Sequence, residues 1–182
     1  MGHPVARAVS CCLAVLGTIA CAPSSHAQAA PAASKATMAG VAPVVAGILG
    51  YTRWPAEGST LRLCTLGRSP GVDELLGPVE LGTPQRRVAV QAVSGPGQAR
   101  ANCDAVYVAG AEEALAREAL RQLAGQPVLL LGEGAGFCSD GGMFCLEPGA
   151  GPARFGANLD AIARSGLRVN PLVLRIARGA RP

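Results

Sequence analysis

Four cysteines that follow an apolar N-terminal leader constrain this chain more than any other feature. They are Cys64, Cys103, Cys138 and Cys145. The remaining three cysteines lie within or at the edge of the leader. An even number of cysteines without a CxxC pair, in an exported protein, predicts two disulfides rather than a redox couple or a metal site. Whether the leader is an export signal therefore decides whether these cysteines are expected to form disulfides.

The leader has the three-part pattern of a secretory signal peptide. Arg7 precedes an apolar run over 9–22, and Ser25-His26-Ala27 places small residues where signal peptidase needs them. The run is too short for a membrane span. We predict a signal peptide over 1–27; the alternative is an uncleaved anchor. Arginine outnumbers lysine fifteen to one, which is typical of a GC-rich bacterial genome, so we expect the periplasm as the destination.

Removal of the leader limits the available chemistry. Both histidines, His3 and His26, leave with it, and Lys35 is the only lysine. The mature chain therefore lacks a Ser-His-Asp triad, a Cys-His nucleophile and any His-containing metal site. Schiff-base chemistry on the folded body is excluded as well. We expect a protein that is not an enzyme and that has no cofactor.

The mature chain has the length of one domain. We predict a flexible N-terminal tail over 28–37 and a single domain over 38–182. Predicted strands cover 61–66, 87–93, 105–109, 128–131 and 154–158. Predicted helices cover 38–51, 72–76, 112–123, a segment from Asn158 and a final one with Asn170 as N-cap. Interleaved strands and helices predict a three-layer α/β domain, with a central mixed sheet flanked by helices.

Spacing predicts the disulfide pairing. Cys138 and Cys145 are close enough to face each other across a tight hairpin that turns on Gly141-Gly142. Cys64 then pairs with Cys103. The rival is a zinc site formed by all four thiolates, which typically uses CxxC-like knuckles that this chain lacks. No metal site is predicted.

Two motifs near this hairpin resemble functional sites, one a phosphate-binding loop and the other a group of catalytic carboxylates. The run 132–136, Gly-Glu-Gly-Ala-Gly, follows a predicted strand, but its third glycine comes too early for GxGxxG and a hairpin is expected next. Glu133, Asp140 and Glu147 are the only acidic grouping nearby. Paired carboxylates can act as acid and base, but turn carboxylates at a surface are far commoner. Neither motif is predicted to be a site.

Charge is concentrated at the C-terminal end. The mature chain carries a net charge of +3. From residue 154 onward the sequence contains six arginines and one acidic residue, Asp160. These arginines either form solvated helix faces or form a basic surface for an acidic partner or an anionic headgroup. Nucleic acid is not expected as a partner, because the periplasm holds little of it and aromatic residues are scarce.

Seven short segments together resemble the YfiR family. They are 51–55 (YTRWP), 61–64 (LRLC), 103–108 (CDAVYV), 136–138 (GFC), 142–146 (GMFCL), 154–159 (RFGANL) and 163–169 (ARSGLRV). Their order and the four-cysteine layout carry the resemblance, which covers about residues 38–179. One position departs from the family pattern, because Gly156 stands where an acidic residue is usual.

The resemblance implies a periplasmic regulator without catalytic activity. Such a protein binds and represses an inner-membrane diguanylate cyclase through its periplasmic domain, which lowers cyclic-di-GMP and biofilm formation. An OmpA-like outer-membrane lipoprotein relieves the repression, and the family also includes homodimers. The matching segments make Arg53, Arg164, Arg168 and Asn170 the candidate partner-binding residues. The alternative function is a periplasmic small-molecule sensor or solute-binding module for another signalling protein such as a sensor kinase, with a pocket lined by the glycine-rich turns.

Overall fold

The computed structural model describes residues 30–56, 58–68, 72, 86–149 and 153–177. The strands are β1 (Thr52–Arg53), β2 (Thr60–Gly67), β3 (Arg87–Val93), β4 (Ala105–Ala109), β5 (Leu129–Glu133), β6 (Phe144–Glu147), β7 (Arg154–Ala157) and β8 (Arg168–Val169). The helices are α1 (Ala30–Gly50), α2 (Pro96–Asn102), α3 (Glu113–Leu123), α4 (Ala135–Ser139), α5 (Leu159–Arg164) and α6 (Leu174–Ala177). A 3₁₀ turn, Pro171–Val173, leads into α6.

Six strands form one mixed sheet in the order β3-β2-β4-β5-β6-β7. The first five are parallel, and β7 closes one edge antiparallel to β6. The chain steps from β2 to β3 on one side and to β4 on the other, so the parallel part has the order of a flavodoxin-like doubly wound sheet.

The sheet is covered on both faces at its centre. All five residues of β4 are buried, as are the first four of β5. Successive side chains of a strand point to opposite faces, so an unbroken buried run requires a layer on each side. This confirms the predicted α/β fold with a central mixed sheet flanked by helices.

The helices agree with the sequence pattern at α3 and differ from it at the N-terminus. Helix α3 lies within the predicted helix over 112–123 and buries Ala119, Leu120 and Leu123 on one face. Helix α1 begins at Ala30, so residues 30–37 are helical, whereas the sequence predicts a flexible tail there. The predicted helix over 72–76 lies outside the described residues except for Val72.

Both predicted disulfides are present. Cys64 on β2 is bonded to Cys103, which directly precedes β4, with a Cα–Cα distance of 5.8 Å. Cys138 on α4 is bonded to Cys145 on β6, with a Cα–Cα distance of 5.4 Å. The first bridge therefore ties β2 to the start of its neighbour β4, and the second ties the crossover helix α4 to β6.

The predicted hairpin between Cys138 and Leu146 is wrong. Residues Ala135–Ser139 form the short helix α4, and β6 then runs parallel to β5. Parallel neighbours need a crossover rather than a tight turn, and α4 supplies it. A helix therefore does follow Gly134, contrary to what the sequence predicts. The glycine spacing nevertheless still differs from the GxGxxG pattern of a phosphate loop.

None of the helices in the described part of the chain has both the length and the apolar character that a membrane span requires.

Candidate functional site: two arginine-lined clefts

The turn after α5 determines where the chain next runs. Ser165 is buried, its Oγ donates to the Ile162 carbonyl at 2.7 Å, and the same oxygen accepts from the Leu167 N–H at 3.1 Å. Gly166 follows with φ of +74°, a value that favours glycine. This turn leads directly into β8.

Strand β8 pairs with β1 in a two-stranded antiparallel ribbon beside the main sheet. The register places Arg53 directly opposite Arg168. The Asn170 N–H donates to the Tyr51 carbonyl at 2.9 Å and closes the end of the ribbon. The ribbon therefore brings together three of the four predicted partner-binding residues, which are distant in sequence.

The two arginines border a cleft of about 590 Å³, which we call the Arg53–Arg168 cleft. The described residues that line it are Arg53, Trp54, Pro55, Gly166 and Arg168. Both arginines are exposed. The register therefore places two guanidinium groups side by side at the surface of the ribbon.

The two arginines differ in their contacts with the protein. Arg53 Nη1 donates to the carbonyls of Gly50 at 2.9 Å and Thr52 at 3.1 Å. It thus interacts with the C-terminal end of α1, where a cation is favoured. Arg168 makes no ion pair with an acid in the described part of the chain.

The other two predicted residues have different environments. The Asn170 Oδ1 accepts from the Leu172 N–H at 2.9 Å and caps the 3₁₀ turn, which confirms its predicted N-cap position. Arg164 pairs with Asp160 at 3.2 Å on the exposed surface of α5. It lines a separate, smaller cleft of about 200 Å³ with Arg121 and Asp140, so the structure does not place it with Arg53 and Arg168.

A second cleft, of about 370 Å³, also includes Trp54 in its lining, and we call it the Arg86 cleft. The described residues that line it are Trp54, Ala56, Gly58, Thr60, Leu61, Arg62, Arg86 and Asp104. The Trp54 Nε1–H donates to the Asp104 carbonyl at 2.8 Å. Arg62 and Asp104 form a two-point contact, Nε to Oδ2 at 3.2 Å and Nη2 to Oδ1 at 2.9 Å. This hydrogen bonding, and then the carboxylate charge, raises the pKa of Arg62 above its ordinary value.

Arg86 is the unusual member of this cleft because it is only 6% exposed. Its Cζ lies 5.1 Å from the centre of the Trp54 ring, within range of a cation–π interaction. Its Nη2 donates to the Thr52 carbonyl at 3.2 Å. Among the described residues it has no carboxylate partner, although buried charges are normally paired.

Sequence reasoning missed Arg86, although a signal for it exists. Along β3, Val88 is buried and the flanking Arg87 and Ala89 are exposed. Arg86 lies two residues before Val88 and so is in the inward phase of the strand. A charged residue in the inward phase, directly before a strand, is the pattern that would have identified it.

The Phe137 side chain fills the space beside the glycine-rich segment. A Cβ at Gly132 would lie 2.5 Å from the Phe137 ring, and one at Gly142 would collide with the same ring. Only glycine at these two positions lets Phe137 pack between β5 and the turn before β6. The pocket that a sensor would require beside these two glycines is therefore occupied by Phe137.

The three carboxylates near this segment have separate roles. Glu133 accepts from the Tyr107 hydroxyl at 2.7 Å, and Glu147 pairs with Arg154 at 3.1 Å. Asp140 borders the small cleft of Arg164. In the part of the chain that the structure describes, no three His, Cys, Asp or Glu residues are grouped to hold a metal.

The departure at Gly156 has a structural correlate. Gly156 on β7 is exposed and lies opposite Cys145 on β6. A Cβ at this position would lie 3.0 Å from the Cys145 Sγ. A side chain here would therefore crowd the Cys138–Cys145 bridge, which in this chain is open to that side.

Comparison with protein-family models agrees with the fold and the cysteine layout. The model described as YfiR/HmsC-like matches residues 39–178. The match spans most of the chain and includes both disulfides, the β1–β8 ribbon and the Arg86 cleft. This chain therefore belongs to the YfiR/HmsC-like family.

Proposed function

We propose that this chain is a periplasmic regulator that binds the periplasmic domain of an inner-membrane diguanylate cyclase and represses it. Lower cyclic-di-GMP and less biofilm would follow. An OmpA-like outer-membrane lipoprotein would relieve the repression by sequestering the regulator. The proposal also includes a homodimer formed by two copies of the chain. Family membership supports a regulatory, non-catalytic role in cyclic-di-GMP signalling, and two disulfides fit an oxidising compartment.

The observation that carries the proposed interface is the placement of Arg53 directly opposite Arg168 on an exposed ribbon. Arginine forms two-point hydrogen bonds with carboxylates and is enriched among residues that dominate binding energy. An acidic surface on the cyclase would gain these bonds from two exposed arginines at once. The partner is thus expected to present Asp or Glu side chains to the Arg53–Arg168 cleft.

The remaining candidates have supporting positions in this proposal. Asn170 holds the end of the ribbon through its backbone N–H. Its side-chain oxygen is already used to cap the 3₁₀ turn, so its role is to support the ribbon. Arg164 lies outside the cleft and is already paired with Asp160. Its reversal is expected to have a smaller effect than reversal of Arg168.

Gene deletion tests the role in the cell. Loss of the regulator should raise cyclic-di-GMP and surface attachment, and additional deletion of the cyclase should abolish both increases. A deletion strain whose cyclic-di-GMP is unchanged under all conditions tried would remove the repressor proposal.

Charge reversal tests the interface. Arg168→Glu, alone and with Arg53→Glu, should weaken repression in cells and lower affinity for the purified cyclase domain by roughly tenfold or more. Arg100→Glu is the matched control, since Arg100 is an exposed arginine of α2 outside both clefts. Full repression by the double variant, in protein that accumulates and retains both disulfides, would place the interface elsewhere.

A further inference from the structure

The Arg86 cleft contains a buried cation whose hydrogen-bonding capacity is largely unused. Arginine carries several N–H donors in a fixed fork. Arg86 uses one guanidinium nitrogen toward Thr52 and one face toward Trp54. Its other donors have no acceptor among the described residues, and Arg86 lines the cleft. A buried donor left without an acceptor costs free energy, so an acceptor from outside would stabilise this arrangement.

The charges around the cleft favour an anion as that acceptor. Among the described residues, the charged side chains that line it are Arg62, Arg86 and Asp104, which gives one positive charge in excess over that part of the chain. Asp104 is already occupied, because it accepts from the Arg62 side chain and from the Arg62 backbone N–H at 2.8 Å. Its carboxylate therefore serves Arg62, and no residue that the structure describes supplies a counter-charge to Arg86.

The size of the cleft fits a small molecule. Its volume of about 370 Å³ falls within the range of roughly 300–1,000 Å³ common for ligand pockets. Trp54, 7% exposed, supplies an apolar wall. A guanidinium fixed by an aromatic ring is already oriented for a ligand, so little side-chain freedom is lost on binding.

We propose that the Arg86 cleft binds a small molecule that bears a carboxylate or phosphate group, with the oxyanion on the Arg86 guanidinium. This site goes beyond the proposed binding of a cyclase, and its test needs no partner protein. Trp54 lines both clefts, so an occupied Arg86 cleft would adjoin the proposed partner surface.

The chain provides its own reporter for this site. Trp54 is its only tryptophan, so intrinsic tryptophan fluorescence monitors the wall of the cleft without labelling. The purified mature protein would be titrated with inorganic phosphate in one arm and with acetate, succinate or citrate in another. Chloride at matched ionic strength is the control. Calorimetric titration of the same solutions detects binding that leaves the emission unchanged.

The expected result is saturable binding of one anion class, absent with chloride. Arg86→Gln should weaken it on the order of tenfold or more, because charge-assisted hydrogen bonds are lost. Arg100→Gln, with the same change of charge on α2, should bind as the wild type does. Asp104→Asn removes the negative charge from the cleft and should strengthen binding, so the proposal stays testable if Arg86→Gln does not fold.

Three outcomes would overturn the proposal. One is a folded wild type that binds neither phosphate nor any carboxylate by either method. Another is an equal loss of binding in Arg86→Gln and Arg100→Gln, which would mean that general surface charge attracts the anion. The third is weaker anion binding in Asp104→Asn.

Discussion

At the scale of the residue, Phe137 shows how closely this chain packs beside its glycines. The ring lies against Gly132 and Gly142, and an added Cβ at either site would enter it. Gly142→Ala should therefore lower the free energy of unfolding by about 1–3 kcal/mol, the usual cost of overpacking a well-filled site. Denaturant unfolding of the purified protein measures this change.

Gly136 provides the matched control for this prediction. It lies in α4, and a Cβ added there would meet nothing within 4 Å. Gly136→Ala should be neutral or should stabilise by roughly 0.5–1 kcal/mol, since alanine is the better helix former. A Gly142→Ala variant as stable as Gly136→Ala would show that the ring moves aside freely.

The contact between Tyr107 and Glu133 predicts a pH dependence of stability. Burial, and then the hydrogen bond and charge of Glu133, raise the pKa of Tyr107 well above its ordinary value. In the unfolded chain the phenol loses its proton near pH ~10, whereas in the folded chain it stays protonated there. Above that pH the folded state binds more protons, so stability falls as pH rises.

This effect is measured by denaturant unfolding between about pH 9 and pH 11. The wild type should lose more stability over this interval than Tyr107→Phe, which has no phenol to titrate at that position. Identical pH profiles for the two proteins would show that Tyr107 does not contribute to the loss.

At the scale of the element, the two disulfides are expected to stabilise the fold unequally. Cys64 and Cys103 are 39 residues apart, and Cys138 and Cys145 are 7 apart. The chain-entropy model gives roughly 4 kcal/mol for the long loop and roughly 2.5 kcal/mol for the short one. Cys64→Ala with Cys103→Ala should therefore lower the melting temperature more than Cys138→Ala with Cys145→Ala. The reverse order would contradict the model for this protein.

Most regular elements could be predicted from sequence, and the exceptions have physical reasons. Strand β4 and helix α3 match their predicted positions because apolar runs and helical periodicity extend over whole elements. The segment between Cys138 and Leu146 was misassigned because a five-residue helix is too short to show a period. The cysteine spacing fits a hairpin and a helix–strand corner equally well.

The β1–β8 ribbon could not be predicted for a related reason. Each of its strands has two residues, which is too short for an alternating pattern. Arg53 and Arg168 were identified as candidates only through the family resemblance, and only the tertiary fold makes them neighbours. The Arg86 cleft likewise depends on contacts between residues that are distant in sequence, such as Trp54 and Asp104.

At the scale of the whole molecule, the structure shows which C-terminal arginines pair with acidic residues and which border a cleft. Arg154 and Arg164 pair with Glu147 and Asp160 at the surface, as expected of solvated faces. Arg168 borders the Arg53–Arg168 cleft, where it fits a basic binding surface. Composition gave the sign of the charge, but only the fold separates paired arginines from those available to a partner.

The order of the four body cysteines has a consequence for biosynthesis. Each bridge joins a cysteine to the next one along the chain, and only one of the three connectivities open to four cysteines has this property. A chain that emerges N-terminus first presents Cys64 and Cys103 before either cysteine of the second pair. Oxidation in the order of emergence therefore yields the native connectivity directly, without the reshuffling through mixed disulfides that a crossed pattern would require.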